Sequence, residues 1–79
     1  MKYNVKLQNG DIWGVILKID GLSKAQQEQL FEATKSNIND LNEFMNIILY
    51  ESEGNVNIYS ELEVQIKEIA NDIGINIIE

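Results

Sequence analysis

The sequence predicts an α+β fold, with two helices packed on one face of a mostly antiparallel sheet of four to five strands in the order ββαββαβ. Three observations carry the prediction. The opening residues alternate apolar and polar around an Asn9-Gly10 pair. A serine capping signal precedes each of two helical stretches. β-Branched residues crowd Asn46–Tyr50 and the last residues of the chain.

Taken in order, Tyr3, Val5 and Leu7 alternate with Lys2, Asn4 and Lys6, the period of a half-buried strand. Asn9-Gly10 suits a tight hairpin turn, whose central residues need positive φ. The returning strand spans Ile12–Ile19, with Trp13, Val15, Leu17 and Ile19 on one face and Ile12, Gly14, Ile16 and Lys18 on the other. Asp20-Gly21 ends it. Ser23, three residues before Gln26, has capping-box spacing, in which each side chain bonds the other residue's free backbone donor. A helix follows over Lys24–Lys35, with Leu30 and Ala33 inward and Phe31 a further candidate. Ser36-Asn37-Ile38-Asn39-Asp40 interrupts it, because Ser, Asn and Asp compete with the helix for backbone hydrogen bonds.

Residues 41–52 read two ways. Ile38, Leu41, Met45 and Ile48 keep helical spacing, while Met45, Ile47 and Leu49 alternate with Phe44, Asn46, Ile48 and Tyr50. The β-branched and aromatic content of Asn46–Tyr50, followed by Glu53-Gly54-Asn55 as a turn, favours a strand. Val56–Tyr59 is then its returning partner. Ser60 and Glu63 form a second capping box, and Leu62, Ile66, Ile69, Ala70 and Ile73 fall on one helical stripe. Gly74 closes that helix, and Ile75-Asn76-Ile77-Ile78 makes a last strand. From Ile12 onward the order βαββαβ is that of the ferredoxin-like fold. The first strand of that fold already has both edges occupied, so the opening hairpin demands a variant whose strand order stays open.

The 79 residues make one domain, 1–79, too short to divide. With neither cysteine nor histidine, disulfides and the common tetrahedral zinc sites are excluded, and a core drawn from the 44% apolar residues must suffice. The first residues lack the apolar stretch of a signal peptide, and the longest aliphatic and aromatic run is Ile47–Tyr50, so a cytoplasmic protein is expected. Thirteen carboxylates against six lysines give a net charge of −7, and there is no arginine. Such a surface is repelled by nucleic acids and anionic membranes, which excludes direct binding to either. It is attracted to basic surfaces.

Catalytic chemistry has little to work with, and an enzyme is not expected. Ser23 and Ser60 are accounted for as caps, and Ser36 and Ser52 stand in turn-like contexts. An EF-hand count from Asn37 puts Asn42 where glycine belongs and Ile48 where the closing glutamate belongs, so it fails. No glycine-rich phosphate loop is present, and no cofactor or metal is expected. The apolar residues on both faces of the second strand raise Ile12, Ile16, Tyr3 and Trp13 as exposed contacts, with a core role the plainer reading of Trp13.

The remaining signal is charge density. Glu51, Glu53, Glu61, Glu63 and Glu68 lie within eighteen residues that hold a single lysine, Lys67, and are the candidate partner-binding residues. These features fit a small acidic protein-binding module that engages the basic surface of a larger protein. The most specific version is an inhibitor occupying a nucleic-acid-binding site as a nucleic-acid mimic. The isoleucine- and asparagine-rich, arginine-free composition is that of an AT-rich genome, as in a phage or plasmid of a low-GC bacterium. The alternative is an obligate homo-oligomeric structural or regulatory subunit associating through its sheet.

Overall fold

A computed structural model describes residues 3–77. Wherever helical spacing and alternation compete in this chain, helical spacing wins. Four helices follow one another: α1 (Asn9–Ile16), α2 (Lys24–Ser36), α3 (Ile38–Glu51) and α4 (Ile58–Asp72). No strand occurs among the described residues, so the α+β, ferredoxin-like expectation is overturned in favour of an all-helical bundle.

The physical reason is visible at α1. Ile12, Val15, Ile16 and Ile19 are all buried, at i, i+3, i+4 and i+7, the stripe of a helix and its continuing turn. A strand face would have buried Leu17 instead, and Leu17 is 62% exposed. Asn9-Gly10 therefore opens a helix rather than a hairpin. The Gln8 backbone N–H donates to the Asp11 carboxylate at 2.8 Å, and an acid in the first turn complements the helix dipole. β-Propensity reports fit to a half-buried pleated surface, and with no sheet to join it decides nothing here.

α2 starts as its sequence indicates. Ser23 Oγ accepts from the Gln26 N–H at 3.1 Å, and Gln26 Oε1 accepts from the Ser23 N–H at 2.9 Å. The interruption at 36–40 shrinks to one residue: Asn37 breaks the ladder while its Nδ2 donates back to the Ala33 carbonyl at 2.8 Å. α3 then takes the helical reading of 41–52, with Leu41, Met45 and Leu49 buried. Val56–Tyr59 forms no returning strand either. Asn57, not Ser60, caps α4, its Oδ1 accepting from the N–H groups of Tyr59 and Ser60 at 3.0 and 3.3 Å. The proposed Ser60–Glu63 box is thereby displaced by a turn.

The stripe of α4 buries Leu62, Ile66 and Ala70 completely, with Ile69 and Ile73 at its half-buried margin. Gly74 at φ +85° ends the helix in a Schellman motif. Its N–H reaches the Asn71 carbonyl at 3.1 Å, and the Ile75 N–H reaches that of Ala70 at 2.8 Å. Ile75 is thereby folded into the core instead of extending into a strand; Ile78, the last residue of that expected strand, lies outside the described residues.

α1 packs on α2 and α4, and α3 packs on the same two helices from its own side. The core they share centres on Ile12, Ile16, Leu30, Met45, Leu62 and Ile66. Ile12 and Ile16 are wholly enclosed, which removes them as contact residues, and the free sheet face that would have exposed them does not exist. Trp13 is half-buried and stacks on Phe31, ring centroids 4.3 Å apart at 12°. The one buried polar side chain among the described residues, Thr34, donates its hydroxyl to the Leu30 carbonyl at 2.8 Å. No helix among the described residues is long and apolar enough to cross a membrane.

Candidate functional site

Each residue of a helix turns the chain about 100°, so α3 can be read around its circumference. Leu41, Met45 and Leu49 face the core. Asn42 and Asn46 stand on the adjacent flank. Glu43, Ile47, Tyr50 and Glu51 continue round to the outer side, where Ile47 is 47% and Tyr50 69% exposed.

The asparagines explain how the chain's start is held. Residues 3–8 have no regular secondary structure and run along α3 as a strap. Val5 N–H donates to Asn46 Oδ1 at 2.7 Å, and Leu7 N–H to Asn42 Oδ1 at 2.9 Å. The Asn46 Nδ2 is tied back to the Asn42 carbonyl at 2.9 Å. Two residues of extended chain advance about 6.6 Å, and four residues of helix about 6 Å. Alternate backbone donors therefore meet side-chain acceptors one helical turn apart. The period-2 pattern of Val5 and Leu7 is real, but a helix with two asparagines takes the place of a neighbouring strand. Leu7 is buried beneath this contact.

Ahead of Val5, Tyr3 reaches the end of α3. There a second Schellman motif closes the helix: the Glu53 N–H donates to the Tyr50 carbonyl at 3.3 Å, and the Gly54 N–H to that of Leu49 at 2.9 Å. Glu53 is left-handed at φ +55°, where the equivalent residue after α4 is Gly74. Gly54 follows at φ +82°, and a Cβ there would stand 2.9 Å from the Tyr3 hydroxyl oxygen. The positive φ favours glycine there, and a larger residue would also have to displace the tyrosine hydroxyl.

Two adjoining hollows result. An open groove of about 570 Å³ is lined by Tyr3, Glu43, Asn46, Ile47, Tyr50 and Glu51. A cleft of about 580 Å³ beside it is lined by Tyr3, Tyr50, Glu51 and Glu53. Among the described residues no lysine lines either.

The five candidate carboxylates divide accordingly. Glu51 and Glu53 stand together in the cleft. Glu63 and Glu68 belong to a shallow hollow on the outer face of α4, with Val64, Lys67, Asn71 and Asp72. Lys67 lies 3.6 Å from Glu63 and offsets the charge there. Glu61 sits in the first turn of α4 and lines neither hollow. Among the described residues no three acidic side chains are grouped to hold a metal ion. Sequence reasoning raised Tyr3 as an exposed contact of a sheet face, and passed over Glu43, Ile47, Tyr50 and the two asparagines as site residues. A usable signal was there, because a pair of asparagines at i, i+4 inside a helix costs helix propensity and implies another task for their side chains. No family model, curated protein or solved structure matches the chain.

Proposed function

We propose that the chain is a small acidic protein-binding module that engages a basic surface of a larger protein through the outer face of α3 and the strap beside it. The observation that supports this is the make-up of the groove: exposed Ile47 and Tyr50, with Tyr3, framed by Glu43 and Glu51 and, among the described residues, by no lysine, on a chain of net charge −7. Aromatic and aliphatic anchors inside a rim of one charge combine binding energy with steering of the encounter. A second copy of the chain is a poor occupant, since a two-fold interface would set these carboxylates against their own equivalents. In the most specific form of the proposal the partner's surface is a nucleic-acid-binding site, with Glu43, Glu51 and Glu53 in place of phosphates.

The experiment compares the proteins retained from lysate by the wild type and three variants: Ile47→Asp, Glu51→Lys with Glu53→Lys, and Glu28→Lys with Glu32→Lys on the exposed side of α2. The expected partner carries a basic contact surface and elutes with salt. It is lost with the first two variants and kept with the third. Equal loss with both glutamate pairs would reduce the effect to net charge, and retention by all three would remove the site from α3. A dimer in light scattering that Ile47→Asp dissociates would replace a foreign partner by self-association.

A further inference from the structure

We propose that the cleft between the strap and the C-terminal turn of α3 is a receptor for a single guanidinium group, an arginine side chain presented by the basic partner. This rests on the protein-binding reading above and names the chemical group that reading leaves open. Among the described residues the cleft is lined by two tyrosines, Tyr3 and Tyr50, and two glutamates, Glu51 and Glu53. Its two tyrosines come from separate segments of the chain: Tyr3 arrives on the strap, and Tyr50 stands on the last turn of α3.

The lining selects among cations. A guanidinium is planar and weakly hydrated; it lies against aromatic faces while its forked N–H groups bond carboxylates in pairs. Tyrosine faces and carboxylates side by side supply both halves of that recognition. An ammonium is compact and strongly hydrated, and loses more water to reach the same place.

The position is built rather than incidental. Asn42 and Asn46 fix the strap by two backbone bonds, and the absence of a side chain at Gly54 admits the Tyr3 hydroxyl. The Schellman bonds to Tyr50 and Leu49 fix the backbone of Glu53 and Gly54. Both tyrosines and both carboxylates thus hang from constrained backbone, which lowers the ordering cost of binding.

The test uses the whole chain and small probes. N-acetyl-arginine methylamide is titrated against it at physiological salt, with the neutral isostere N-acetyl-citrulline methylamide and the lysine analogue as controls. The ring protons of Tyr3 and Tyr50 and the Gly54 amide are followed by NMR. Saturable shifts with arginine are expected, with citrulline at least about tenfold weaker, as befits hydrogen bonds to charged groups, and lysine intermediate. The shifts should vanish in Asn42→Ala with Asn46→Ala and in Tyr3→Leu, the second variant serving if the first fails to fold. They should persist in Glu28→Gln with Glu32→Gln. No saturable shift, equal response to citrulline, or binding indifferent to Tyr3→Leu would each overturn the proposal. Because no partner protein enters the measurement, its failure leaves the protein-binding reading standing, and that reading can fail on retention from lysate while the cleft still binds arginine.

Discussion

Glu53 and Gly74 occupy the same position in two copies of one motif, the residue after the C-cap, and only one of them is glycine. A side chain in left-handed geometry costs roughly 1–2 kcal/mol, partly offset by the about 0.5–1 kcal/mol of chain entropy that glycine loses on folding. Glu53→Gly should therefore stabilise the fold by about 0.5–1 kcal/mol, read from the midpoint of urea unfolding at unchanged slope. A destabilisation would mean that the Glu53 side chain holds the turn. If the cleft recognises cations, the same variant should weaken that recognition, so that stability and binding move in opposite directions at one residue. Gly54 has no such freedom, for a methyl group there meets both an unfavourable φ and the hydroxyl of Tyr3.

At the scale of elements, the strap has no regular secondary structure and joins no sheet. Val5 and Leu7 donate to Asn46 and Asn42, and successive N–H groups of extended chain point opposite ways. Hydrogen exchange should show slow amides at Val5 and Leu7 alternating with fast ones at Asn4 and Lys6, and the alternation should disappear in Asn42→Ala with Asn46→Ala. Uniformly fast exchange would show the strap undocked. These elements also mark what could be read in advance. Lys24–Ser36 was legible because Ser23, Gln26 and the Leu30 stripe agree on one structure, and the Leu62, Ile66 and Ala70 stripe was legible from its helical spacing although its cap was misplaced. α1 was not. Ile12–Ile19 satisfies both periods over eight residues, and only burial of Ile12 and Ile16 against α2 and α4, a tertiary fact, breaks the tie. Asn57 outcompeted Ser60 as a cap because the helix reached a turn further back than the strand reading of Val56–Tyr59 allowed. Of the candidate site, the density of Glu51 and Glu53 was readable. Their pairing with Tyr3 was not, since it depends on a tertiary contact between the strap at residue 3 and the turn at residue 54.

For the molecule as a whole, a charge of −7 is carried on a body about 40 × 23 × 20 Å, so its carboxylates repel one another across distances comparable to the screening length. Net charge of this kind destabilises the compact state. The melting temperature should rise as sodium chloride is increased from low to physiological concentration, and Glu28→Gln with Glu32→Gln should reduce that rise. A melting temperature that falls over this range would show attractive pairs outweighing repulsion. The prediction concerns the fold alone. A charge-driven complex would respond with the opposite sign, weakening as salt is added.

The stacked Trp13 and Phe31 give the molecule a convenient optical property. Trp13 is the only tryptophan, and its ring reports the junction of α1 with α2, whereas the groove lies on α3, which packs against α2 and α4. Indole emission can thus follow unfolding while tyrosine signals from Tyr3 and Tyr50 follow occupancy of the cleft. A variant that silences the second signal and spares the first has lost its ligand and kept its fold, and a single sample can show both.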